Sequence, residues 1–142
     1  MNRLFLGAVG AVLGLCFLST TPQAAAAQRK APPGGAYKKV STLVALPDFL
    51  PGLGTLYVDP ATMPAGPFLA YDHQGKLVSS IYMIPLKDMN AHKAFSDLKV
   101  AHEPVDHVDV VFNAGHPGVA EPHYHVILWY ISTQGAAAQL AK

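Results

Sequence analysis

Twelve prolines and twelve glycines, scattered along nearly the whole of a 142-residue chain, constrain this sequence more than any other feature. They cut it into short pieces and favour strands of five or six residues over long helices. Tyr37–Leu46 reads as a strand entering the domain and Pro47–Gly54 as a loop. Thr55–Val58 is β-prone and is ended by Asp59-Pro60. Residues 61–67 form another loop, where Met63-Pro64 and Gly66-Pro67 disfavour helix. Phe68–Asp72 and Lys76–Ile84 flank His73-Gln74-Gly75, a hairpin signal. Leu86–Val100 carries apolar residues at Leu86, Met89, Ala94, Phe95 and Leu98, a spacing that predicts a helix. Val105–Asn113 and His123–Ser132 are the clearest strands, joined by the Gly- and Pro-rich loop Ala114–Pro122. The class is α+β: a mainly antiparallel sheet with one helix, about 86–100, packed on one face.

The first residues read as an address. Arg3 precedes fifteen uncharged residues, Leu4–Leu18, and Ala24–Ala27 offers small residues for cleavage. The run is short for a membrane span of about twenty residues. Residues 1–27 are therefore expected to be a signal peptide, and the protein to be exported to the periplasm or secreted, with no membrane attachment after cleavage. Residues 28–36 read as a flexible leader, 37–134 as one domain and 135–142 as a tail without a role. The single cysteine, Cys16, lies in the signal, so the mature chain has no disulfide and no Cys-based metal site.

Ten Lys/Arg against nine Asp/Glu leave no basic footprint for nucleic acid. No phosphate-binding loop, dinucleotide fingerprint or nucleophile elbow is present, and no pair of carboxylates is singled out by spacing.

Five of the seven histidines lie between 102 and 125. If 108–113 and 123–130 pair antiparallel, Asn113 faces His123, Val111 faces His125, Asp109 faces Ile127 and His107 faces Trp129. One face then collects Val108, Val110, Phe112, Tyr124, Val126, Leu128 and Tyr130, which is expected to be the core side. The other bears His123 and His125, two imidazoles that can share a metal with His116 or Glu121 as a further ligand. Asp109, Asn113, Glu121 and Trp129 complete a candidate ligand or contact face.

Tyr57-Val58-Asp59-Pro60, Met63-Pro64, Tyr71–Lys76, Tyr82–Leu86, Gly115-His116-Pro117 and Pro122–His125 occur in that order. Together they resemble an uncharacterised family of small exported bacterial domains typified by a Thermus protein under sigma-E control. In that family the last strand reads Pro-His-aromatic-Asp with a further His soon after. Here His125 and Ile127 stand at those places, so only His116 and His123 carry over. The resemblance implies an α+β fold, export and a ring-like homo-oligomer, and supplies no mechanism.

The expectation is an exported, non-catalytic domain acting by binding a small molecule or by homo-oligomerisation through the His/Trp129 face. The alternative is a hydrolase or isomerase dependent on zinc or another divalent metal held by His116, His123 and His125, with Glu121 or Asp109 as general base. A third possibility is a pH-responsive element, because clustered histidines charge together.

Overall fold

The computed structural model describes residues 28–142, so the expected signal peptide lies outside the described residues. Six strands form one sheet: β1 (Lys38–Lys39), β2 (Thr55–Val58), β3 (Phe68–Tyr71), β4 (Leu77–Pro85), β5 (His107–Asn113) and β6 (His123–Trp129). Their order is β1-β2-β3-β4-β6-β5, and each neighbouring pair is antiparallel. Among the described residues two short α-helices accompany them, α1 (Leu86–Asn90) and α2 (Thr133–Gln139), with 3-10 turns at Val40–Thr42 and Pro60–Thr62. No helix among the described residues is long and apolar enough to cross a membrane.

The hairpin between β3 and β4 forms where expected. Asp72 Oδ1 accepts the backbone N–H groups of Gln74 and Lys76 at 2.9 and 2.8 Å, and Gly75 supplies a φ of 71°. β4 is buried along its whole length, and apart from the buried Ser79 and Ser80 its residues are apolar or aromatic on both sides.

Each face of the sheet has its own cluster. On the first, Val58, Phe68, Ala70, Ile81, Met83, Ile127 and Trp129 pack with Val40 and Leu140. On the second, Leu69, Tyr71, Leu77 and Ala101 pack beside Tyr57 and Tyr130. Burial of such a side chain contributes about 1.5–3 kcal/mol.

Four expectations need correction. The strand predicted over Tyr37–Leu46 survives only as Lys38–Lys39. Val40–Thr42 turns instead, with Thr42 Oγ1 donating to the Lys39 carbonyl at 2.7 Å. The turn lays Val40, Val44 and Leu46 over the first face.

The helix predicted over 86–100 stops at Asn90. His92 and Asp97 both adopt left-handed φ, near 55° and 56°, which no continuous helix allows. The segment then crosses the second face, where the Lys99 carbonyl accepts from the Tyr82 hydroxyl.

The β5–β6 register is the expected one, from Asn113↔His123 to His107↔Trp129. The expected core side is not the better covered one: on β6 the His123 side is buried and the Tyr124 side half-buried, and β5 is exposed on both sides, Val111 at 49% included. Ile127 and Trp129 are 5% and 6% exposed and His123 is fully buried, whereas Val108, Val110 and Phe112 are 53%, 64% and 51% exposed. Alternation says which residues share a face, not which face is covered. The 40–54 segment covers the side bearing His123 and Trp129, while Val108, Val110 and Phe112 lie uncovered on the edge strand β5.

The closing residues are also more than a tail. Ser132 caps α2 by accepting from the Gly135 N–H at 3.1 Å, and the helix delivers Leu140, 1% exposed, into the first cluster.

Candidate metal and ligand site

β6 positions two of the three histidines. His123 and His125 sit two apart on the strand and point to the same face. His123 faces Pro85 and Asn113, and His125 faces Met83 and Val111, across the flanking strands. His116 comes from the loop after β5. That loop is closed by reciprocal backbone bonds between His116 and Val119, both 2.9 Å, and by Asn113 Oδ1 accepting the Gly115 N–H at 2.8 Å.

Two glycines make the loop possible. Gly115 has a φ of 129°, and a Cβ there would lie 2.6 Å from the Ala120 carbonyl oxygen. Gly118 has a φ of 89° and presses against Val44 of the cover. The loop thereby folds back so that His116 stands over β6.

The imidazoles form a compact trio. Ring centroids are 4.9 Å apart for His116–His123, 5.6 Å for His116–His125 and 4.8 Å for His123–His125. One ligand atom from each lies within 4.8 Å of the others.

Backbone carbonyls set two of the tautomers. His123 Nδ1 is 2.6 Å from the Glu121 carbonyl, and His116 Nδ1 is 3.0 Å from the Pro117 carbonyl. A carbonyl only accepts, so both Nδ1 atoms carry the proton and both Nε2 atoms present lone pairs. His125 Nε2 lies 3.0 Å from His123 Nε2. With the His123 Nε2 lone pair as acceptor, His125 Nε2–H donates across this contact, and a bound cation would take that proton's place. Burial, and then the neighbouring His123 and His116, lower the His125 pKa to about 4. His125 is therefore neutral at pH 7, the form that ligates metals.

The other sequence-predicted residues are placed differently. Trp129 is part of the core and donates its Nε1–H to Asp109 Oδ2 at 2.8 Å, so it offers no contact surface. Asp109 is thereby engaged at the far end of the strand pair, beside His107. The Glu121 carboxylate pairs with Lys87 Nζ at 2.7 Å, and only the Glu121 backbone carbonyl serves the trio. Neither carboxylate joins the cluster as ligand or general base. Of the four contact-face residues, Asn113 alone reaches the cavity described next. His102 and His107 also remain outside the trio.

Beside the histidines, a cavity of about 280 Å³ opens between the sheet and its cover. Leu56, Val58, Phe68, Ile81 and Met83 form the sheet wall. Val40, Val44, Leu46 and Leu53 form the cover, and Met63 closes a side. Asn113, His116 and His125 provide the polar end. The leucines and valines of 40–56 were legible as apolar, but nothing in their order says that they enclose space.

Fold and site together define a class: a small, mainly antiparallel α+β domain with a trio of histidines, one buried and two half-buried, at the end of an apolar cavity. No protein-family model matches the chain, and no curated protein does. Among solved structures it is similar to the hypothetical protein TTHB210 from Thermus thermophilus. The two are 46% identical over 68% of this chain and 88% of that one, with a TM-score of 0.61. The chain belongs to the family of that Thermus hypothetical protein.

Proposed function

We propose that this protein is a metal-binding domain without catalytic machinery, holding one divalent transition metal of the zinc type through the Nε2 atoms of His116, His123 and His125. The observation that carries the reading is the convergence of one ligand nitrogen from each of the three histidines within 4.8 Å, while the Glu121 and Pro117 carbonyls engage the His123 and His116 Nδ1 atoms and leave their Nε2 atoms for a metal. Metal-ligating histidines commonly donate their second nitrogen in this way. On a tetrahedral zinc with bonds of about 2.0–2.1 Å, ligand nitrogens lie roughly 3.4 Å apart. The His123–His125 separation of 3.0 Å is close to that. The three ligand nitrogens lie within 4.8 Å of one another, so the trio closes by on the order of 1 Å on binding. Three imidazoles suit zinc, copper, iron or nickel and leave a coordination position free. The expected export would place the site in the periplasm or outside the cell.

Equilibrium dialysis against zinc with metal analysis tests this. One zinc per chain is expected, lost in His125→Ala and in His116→Ala. Retention of zinc by both variants would refute the site.

The exposed Val108, Val110 and Phe112 on β5 favour self-association as a second reading, on the opposite face from the one expected. Sedimentation of Val110→Lys tests it: an assembly that drops in mass supports the reading, and an unchanged mass counts against it.

A further inference from the structure

The trio gives a metal three neutral ligands, so a dication there keeps its full charge at the polar end of an otherwise apolar cavity. No carboxylate is among the donors, and none of the described residues lining the cavity is charged. A partly buried charge of that kind favours an anion at its free coordination position.

The cavity is polar at one end only. Its walls are aliphatic, aromatic or Met side chains, and His116, His125 and Asn113 stand together where the trio lies. Asn113 Oδ1 is already occupied by the Gly115 N–H, which leaves the amide NH₂ as a donor. A molecule matching this gradient has one anionic head and a hydrocarbon body. The volume of about 280 Å³ lies at the lower edge of ligand pockets, which span roughly 300–1,000 Å³. That excludes a long-chain lipid fully enclosed. Met63 and Met83 line the body of the space with side chains that adjust to different shapes.

From this geometry we infer that the cavity takes a medium-chain monocarboxylate, its carboxylate on the metal held by His116, His123 and His125 and its chain between the sheet and the 40–54 cover. The inference rests on the metal reading above. Binding is ligation, with no bond in the ligand broken.

Octanoate is the probe, titrated calorimetrically into zinc-loaded and metal-stripped protein, with butyrate and octanol as comparisons. Zinc-loaded protein is expected to bind octanoate at least about tenfold more tightly than stripped protein. Octanoate should exceed butyrate by on the order of a hundredfold, because four more methylenes are buried. Octanol should show no preference for the zinc-loaded form. Leu56→Phe, which fills the cavity from β2, should keep its zinc and lose octanoate.

Protein that holds zinc but ignores octanoate overturns the inference and leaves the metal reading standing. Equal octanoate affinity with and without zinc removes the carboxylate–metal contact, and equal affinity for butyrate and octanoate removes the cavity. Failure to hold zinc at all sinks the metal reading first, and this inference with it.

Discussion

His123 Nδ1 lies 2.6 Å from the carbonyl oxygen of Glu121, two residues earlier, while the Glu121 carboxylate turns away to Lys87. The chain thus uses the backbone of Glu121 to orient the buried imidazole and directs its charge elsewhere. Glu121→Gln should therefore leave zinc affinity within about twofold, because a surface ion pair contributes only about 0–1 kcal/mol. Zinc titration of the variant checks this, and a large loss of affinity would mean that the carboxylate serves the metal after all.

His123→Ala should cost stability even without metal. It empties a fully buried position and leaves the Glu121 carbonyl without its donor. A loss of about 1–3 kcal/mol is expected in urea unfolding of metal-free protein. His125→Ala should cost less, because His125 is only partly buried. Equal losses in the two variants would contradict the distinction.

Gly115→Ala should separate loop geometry from ligand identity. The added Cβ would meet the Ala120 carbonyl at 2.6 Å, and the φ of 129° is unfavourable for any L side chain. The loop must shift and carry His116 with it. Zinc affinity is expected to fall about 10–100-fold, the range for loss of a group that orients a ligand, although all three histidines remain. Unchanged affinity would show that His116 is not held by the loop.

Trp129→Phe keeps the ring in the core and removes its N–H. Asp109, half exposed, can turn to water, so the expected loss is about 0.5–1.5 kcal/mol. Trp129→Ala removes the packing as well and should cost about 3–5 kcal/mol. Denaturant unfolding of both variants tests the ordering.

Alkaline pH should destabilise the second face of the sheet. Burial, and then the neighbouring Tyr130 and Tyr37, push Tyr82 up to about 12, and burial raises Tyr71 and Tyr130 in the same direction. The folded state holds these phenolic protons more tightly than the unfolded chain, whose value is near 10. Their stabilisation is complete below about pH 10 and is lost as pH rises through the folded values. The urea midpoint should be flat from pH 8 to about 9.5 and fall above it, less steeply in Tyr82→Phe. A midpoint as steady in the parent at pH 11 would refute the assignment.

Much of this architecture was legible in local chemistry. Asp72 and Gly75 mark a turn that their side chain and backbone dictate. The β5–β6 register followed from matching one strand to the other across a loop. The identity of the covered face was not legible, because Val108, Val110 and Phe112 look like core residues whatever lies above them. Apolar spacing carries the helix past Asn90, where His92 and Asp97 take left-handed conformations that spacing cannot reveal. In the site, His116, His123 and His125 were visible as residue types, but their tautomers depend on the Glu121 and Pro117 carbonyls, which periodicity does not place. The cavity depends on residues 40–58 folding over β4 and β6, a contact between distant parts of the chain.

Leu140 packs into the first cluster, and its carbonyl accepts the Gly52 N–H at 2.9 Å. Gly52 belongs to the cover and precedes β2, whereas Leu140 follows β6. Residue 140 is thus the far anchor of the cover: a chain clipped before it would lose both the Leu140 side chain from the first cluster and the bond to Gly52, and the space beneath residues 40–54 would stand open on that side.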